Sequence, residues 1–259
     1  MTPRDTKEPD LSYFGLQAHV GTTKHMGGHQ STRDLVDLCH VSGGRFVLDV
    51  GCGAGATTSY LVKTLGCRAV GVDVRVSMVD RAQARAQREG VGDRTVFSVA
   101  DAQTLPFESD LFDAVLIESV ATFIEDKGSV VAECARVTRP GGYVGFNEEV
   151  WLKRPPPEML REAHRAWEIR PNLPSPDEWR GFLEGAGLVD VKARVHRFDW
   201  LRESSQMRRY RPSDMLRMLY KTLCLYARNP AFRQYMSRRK RLPRDVFDYL
   251  GYALFVGKK

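Results

Sequence analysis

This 259-residue chain has no uninterrupted apolar run near the roughly 20 residues that a bilayer-spanning helix needs, so a transmembrane helix is not expected. It has no Cys-x-x-Cys pair either. Its five cysteines, Cys39, Cys52, Cys67, Cys134 and Cys224, are scattered, which argues against a zinc site or a disulfide framework and fits small buried residues in a reducing compartment. The opening residues, with Arg4, Asp5, Lys7, Glu8 and Asp10, lack the apolar core of a signal peptide, and a cytoplasmic location is expected. Charge of neither sign is scarce, but it is unevenly placed. Residues 1 to 150 carry 15 basic and 20 acidic side chains, whereas residues 151 to 259 carry 24 basic and 12 acidic, so the net charge of +7 resides in the second part. The two parts are set to face different partners or each other. A hydrophobic content of 42% over this length suits one large α/β domain or a domain with a helical appendage.

The stretch Val47-Leu48-Asp49-Val50-Gly51-Cys52-Gly53-Ala54-Gly55 organises the rest. Phe46 to Asp49 reads as a strand buried on both faces, and a helical pattern starts at Ala56 and runs through Tyr60, Leu61 and Leu65. Gly51, Gly53 and Gly55 therefore sit in the turn, where the missing Cβ lets a ligand approach the main chain and the helix start offers unpaired N–H groups. A second apolar run, Arg68 to Asp73, ends in an acid about 20 residues after the glycines, where a βαβ nucleotide site carries its ribose-binding carboxylate. The spacing is Gly-x-Gly-x-Gly, not the Gly-x-Gly-x-x-Gly of a dinucleotide site. Asp49, just before it, would repel a diphosphate but pair with an ammonium group, so a cationic amino-acid moiety is the better match.

At these residues the chain resembles the class I S-adenosylmethionine-dependent methyltransferases, in particular their small-molecule, type 11-like members. The resemblance continues in order: Gly71-Val72-Asp73 looks like the second motif and Ala100 to Phe107 like the adenine-binding loop. Phe112 to Ile117 looks like the fourth strand and Thr138 to Gly142 like the turn before the fifth. It implies an α/β fold with a doubly wound, mostly parallel seven-stranded Rossmann-like sheet, and S-adenosyl-L-methionine as cofactor with S-adenosyl-L-homocysteine as product. It further implies that Asp49, Gly51, Cys52, Gly53 and Gly55 hold the methionine moiety, Cys52 through its main-chain N–H. Asp73 falls to the ribose, Asp101 and Ala102 to the adenine, and Val74 is counted among the cofactor-binding residues. Glu118, at the end of the fourth strand, is placed to see the transferable methyl. For a base, His19, Glu118 and Glu149 are the candidates, with Tyr13 as an orienting hydroxyl. No Asn-Pro-Pro-Tyr sequence follows the fourth strand, which argues against a nucleobase or glutamine-amide acceptor.

Residues 1 to 30 are expected to form an N-terminal flap, disordered at its first ten residues, and residues 31 to 259 the methyltransferase domain. His19, His25 and His29 are spaced by six and four with no acids nearby, a poor metal set, so no metal is expected. A helix is expected from Thr32 to Cys39 and another from a Ser77 N-cap to Glu89, with strand three at Thr95 to Val99. Further helices are expected over Lys127 to Val137 and Glu158 to Ile169, and one starting at Ser175. Strands are expected at Gly142 to Asn147, Leu188 to Val195 and Tyr252 to Val256. Glu148 and Glu149 then stand at a strand end, either orienting or deprotonating a substrate or forming a solvated rim.

Between the last two strands lies an insertion over residues 200 to 245, with 13 Arg or Lys against Glu203, Asp214 and Asp245. Within it Met215, Leu216, Met218, Leu219, Leu223, Leu225 and Tyr226 cover most of a helix and leave Arg217, Lys221 and Arg228 as a narrow polar stripe, a pattern that calls for burial or an oily contact. A substrate lid over a pocket for a small amphipathic or acidic acceptor is the preferred use. The competing uses are peripheral contact with an anionic membrane, RNA binding, and pairing of the arginines with the acidic part or a second subunit as a homodimer. RNA binding is disfavoured, because no nucleic-acid module or interleaved aromatic pattern is present. An RNA or membrane-lipid methyltransferase, or a protein that only binds the cofactor, is the alternative reading.

Overall fold

The computed structural model describes residues 25–167, 173–204, 212–239 and 244–259. Tyr13, His19 and most of the expected flap lie outside the described residues, as does the expected end of the fifth-strand connector helix at Ile169. In chain order come α1 (Gly28–Leu38), β1 (Phe46–Val50), α2 (Ala56–Leu65), β2 (Arg68–Asp73), α3 (Val76–Glu89), β3 (Thr95–Val99) and β4 (Phe112–Glu118). Then follow α4 (Lys127–Val137), β5 (Thr138–Trp151), α5 (Pro157–Trp167), α6 (Pro176–Gly185) and β6 (Val189–Arg197). Three helices, α7 (Trp200–Ser204), α8 (Pro212–Arg228) and α9 (Pro230–Arg239), precede β7 (Leu250–Lys258).

The strands form one seven-stranded sheet in the order β3-β2-β1-β4-β5-β7-β6, parallel except for β7. The order reverses between β1 and β4, so the carboxyl ends of these two strands open the crevice where ligands of doubly wound sheets sit. Side chains alternate across the strands and so divide the core. Leu48, Val115, Ile117, Phe146 and Phe255 pack under α4 and α6, where the Trp179 ring lies 5.7 Å from Phe146 and 5.8 Å from Phe255. Val47, Ala114, Leu116 and Leu254 pack on the other face with Leu35 of α1 and Leu61 of α2.

Several boundaries differ from the sequence expectation for identifiable reasons. The first helix begins at Gly28 rather than at Thr32, because Gly27 takes a left-handed conformation (φ 79°) against the Tyr252 side chain, where an added Cβ would lie 2.5 Å from Cζ and the hydroxyl oxygen. Helix α3 begins at Val76 behind Arg75, not at Ser77, because the Asp73 carboxylate already accepts the Arg75 N–H at 2.9 Å and starts the turn. Strand β5 extends to Trp151, well past Asn147, because β7 pairs antiparallel with it from Tyr143 to Trp151 and satisfies its main chain. Glu148 and Glu149 are thereby interior strand residues on opposite faces, and the rim reading is corrected: Glu148 is fully buried. The Ser175 N-cap is present as a complete capping box with Glu178.

Candidate functional site

A cavity of about 360 Å³ opens at the carboxyl ends of β1, β2 and β4. One wall is the turn after β1. Gly51, Gly53 and Gly55 have φ of 72°, 52° and 72°, and a Cβ on Gly51 would fall on Cγ2 of Val120 across the cavity edge, so this position tolerates only glycine without a shift of its neighbour. The turn is tied to β2 by the Gly51 and Cys52 N–H groups, which donate to the Val72 carbonyl at 2.7 and 2.9 Å, so the Cys52 N–H expected to reach the cofactor is instead spent inside the protein. Gly53 N–H donates to Asp73 Oδ2 at 3.0 Å. Burial raises the Asp73 carboxyl above its usual range, opposed by the N–H bonds from Arg75 and Gly53. Asp49 is buried beside the turn, and its Oδ2 accepts the Thr58 hydroxyl of α2 at 2.6 Å.

The second wall is the loop after β3. Asp101 lines the cavity and accepts the Gln103 N–H at 2.9 Å, while Ala102 turns its side chain into the core. Two side chains of α4 hold this loop from behind. Glu133 accepts the Leu105 N–H at 2.7 Å, and Arg136 donates to the Leu105 and Phe107 carbonyls at 2.9 and 2.8 Å.

The third wall is the end of β4. Glu118 falls on the same strand face as Ala114 and Leu116, which brings it beneath α1 and α2. There Thr32 donates to Oε2 and Thr57 to Oε1, each at 2.8 Å. The His25 ring, also buried and lining the cavity, places Nδ1 3.6 Å from Glu118 Oε2 and Nε2 3.3 Å from the Thr32 hydroxyl. Asn147 of β5 donates to the Met26 carbonyl and the Ser31 hydroxyl at 3.1 and 3.0 Å, fixing the segment that carries His25. The loop after Glu118 supplies Val120, Phe123 and Ile124 as an apolar lining.

Glu148 fixes that loop. Its carboxylate accepts the Val120, Ala121 and Thr122 N–H groups at 3.0, 3.0 and 2.9 Å and the Thr122 hydroxyl at 2.6 Å. Burial, and then the neighbouring Glu149 charge, push its carboxyl up to about 7 against the bonds from the Thr122 hydroxyl and the Val120 and Thr122 N–H groups. Glu149 does not line the cavity; it accepts the Ser119 hydroxyl at 3.3 Å, and burial raises its carboxyl too.

The structure thus gathers Asp49, Gly51, Cys52, Gly53, Asp73 and Val74 with Asp101, Ala102 and Glu118 around one cavity, with Gly55 just behind as the N-cap of α2. Tyr13 and His19 lie outside the described residues. The sequence reading placed His25 in the flap without a role in the site, and it missed Thr32, Thr57 and Asn147. The lining fits a bound S-adenosylmethionine: Gly51 leaves room that a Cβ would fill, and the carboxylates of Asp49, Asp73 and Asp101 line the same cavity.

Comparison with known proteins agrees with this geometry. A family model described as a methyltransferase domain matches residues 48–146. The chain is 30% identical over 191 residues to the 27-O-demethylrifamycin SV methyltransferase of Amycolatopsis mediterranei, covering 67% of this chain and 70% of that protein. It is 37% identical over 123 residues to methyltransferase GfsG of Streptomyces halstedii, where the match spans 48% of this chain and 44% of that protein, under half its length. In fold it is similar to a Haemonchus contortus phosphoethanolamine N-methyltransferase 2 in complex with S-adenosyl-L-methionine, with a TM-score of 0.72 at 19% identity over 95% of this chain and 56% of that one. With a glycine turn, acid-tipped β2 and β3 loop converging on one cavity, and with these relatives, the chain belongs to the class I S-adenosylmethionine-dependent methyltransferases.

Proposed function

We propose that the enzyme methylates a small amphipathic or acidic acceptor seated between Glu118, His25 and the apolar loop residues Phe123 and Ile124. The observation that carries this reading is the composition of the cavity lining: a buried imidazole and carboxylate 3.6 Å apart together with the apolar side chains of Phe123 and Ile124. Such a lining suits a molecule with one polar group to be methylated and an apolar body. Bound S-adenosylmethionine supplies an activated methyl for in-line displacement. The chain's part is alignment and exclusion of water. Asp49 is assigned to the ammonium of the methionine moiety, Asp73 to the ribose hydroxyls, and Asp101 with the Ala102 main chain to adenine. Glu118, held rigid by Thr32 and Thr57, orients the acceptor, and His25 takes the acceptor's proton at a ring nitrogen.

The test is calorimetry with S-adenosylmethionine and S-adenosylhomocysteine, followed by transfer of labelled methyl to a panel of amphipathic hydroxyl, amine and carboxyl acceptors. Phe123→Ala is expected to raise KM for the acceptor without changing cofactor affinity, and His25→Ala to lower kcat. Label entering RNA instead of the small acceptors, or cofactor binding with no transfer to any of them, would overturn the reading.

A further inference from the structure

Of the two outcomes that its sequence allows, burial or an oily contact, helix α8 does not show the first over most of its apolar face. Leu216, Leu219, Tyr220, Leu223 and Tyr226 are 50% to 68% exposed, while its buried edge is Leu225, which packs with Phe232 of α9 and has the partly buried Met236 against it. At 100° per residue the five exposed side chains fall within about 120° of arc, a continuous exposed apolar stripe. Arg217, Lys221 and Arg228 lie together along one flank of that stripe, and Arg233 caps the end of α8 by donating to the Tyr226 and Ala227 carbonyls at 2.9 and 3.0 Å.

A water-facing stripe of this size marks a contact surface, and charge decides among the occupants. A second copy of this chain would bring the basic insertion, with 13 cations to three anions over residues 200 to 245, against its own image. A nucleic acid would leave the leucines without a partner, since phosphates pair with the cations alone. An anionic bilayer satisfies both halves: acyl chains receive the leucines and tyrosines, and headgroups receive the exposed Arg217 and Arg228. We propose that α8 seats the enzyme on an anionic phospholipid surface, its apolar stripe entering the boundary between headgroups and acyl chains.

The experiment is flotation of the full chain with phosphatidylcholine vesicles, pure or carrying about a third phosphatidylglycerol. Binding to the anionic vesicles is expected to exceed binding to the neutral ones by at least about tenfold and to weaken toward roughly 0.5 M salt. Leu219→Glu with Leu223→Glu is expected to abolish it while thermal melting and S-adenosylmethionine affinity stay unchanged; Arg217→Gln with Arg228→Gln is expected to reduce the anionic preference and leave the melt alone. No binding to anionic vesicles, equal binding by the Leu219→Glu, Leu223→Glu variant, or a dimer in light scattering that this variant dissolves would each overturn the proposal. Because cofactor affinity is measured on the same preparations, failure here is separable from failure of the catalytic reading.

Discussion

Gly51→Ala tests the geometry on which the cofactor site rests. Two costs are built into that position. The first is the backbone: φ of 72° is left-handed, and an L side chain there costs about 1 to 2 kcal/mol. The second is space, since the new Cβ would fall on Val120 Cγ2, with Cγ1 and Cβ of the same residue at 3.1 and 3.2 Å. Val120 cannot retreat freely, because its N–H is bonded to the buried Glu148 carboxylate at 3.0 Å. Overpacking of this kind costs about 1 to 3 kcal/mol, so the single variant should lose about 2 to 5 kcal/mol in urea unfolding. Val120→Ala removes the two offending carbons and should restore about 1 to 3 kcal/mol in a double-mutant cycle, while leaving the backbone cost in place. Calorimetry should show weakened S-adenosylmethionine binding in the single variant and partial recovery in the double. A Gly51→Ala protein within about 0.5 kcal/mol of the parent, or a Val120→Ala background that gives no rescue, would refute the reasoning.

Asp73→Ala removes the acceptor of the Gly53 and Arg75 N–H groups as well as the proposed ribose partner, and should weaken cofactor binding by about tenfold or more in calorimetry; unchanged affinity would remove the ribose role. Glu148 should leave a pH signature in stability. Its carboxyl is raised in the folded chain from 4.5 to about 7, so the folded state holds the proton more tightly than the unfolded state. The resulting stability is fully present below about 4.5 and is lost as pH rises through about 7, up to ~3 kcal/mol in all. Glu148→Gln should flatten that slope in Tm, with the raised Glu149 carboxyl supplying what remains, and a slope identical to the parent's would exclude Glu148 as its source. Ser175→Ala breaks the capping box with Glu178 and should cost about 1 kcal/mol in urea unfolding without touching cofactor affinity. Arg136→Met should free the loop from Leu105 to Phe107 and weaken cofactor binding with little effect on the acceptor's KM.

The sequence by itself determined the features that depend on short spacing. The turn glycines, the acid at the tip of β2 and the α4 boundaries at Lys127 and Val137 are local in this sense, because strand, tight turn and helix each leave a periodic or single-residue mark within a dozen positions. The ordered motifs also carried the family and the cofactor. What only the tertiary structure decided are the relations between residues far apart in the chain. Thr32 reaches Glu118 across 86 positions and His25 meets Asn147 across 122, and no local pattern encodes either meeting. Pairing with β7 turned an expected strand end into strand interior, and so sent Glu148 under the loop that lines the cavity and Glu149 to the opposite face. The apolar positions of α8 were legible, but the face that points outward was not. A hydrophobic period says that a face needs a partner, and only the packed fold shows which side the protein itself covers.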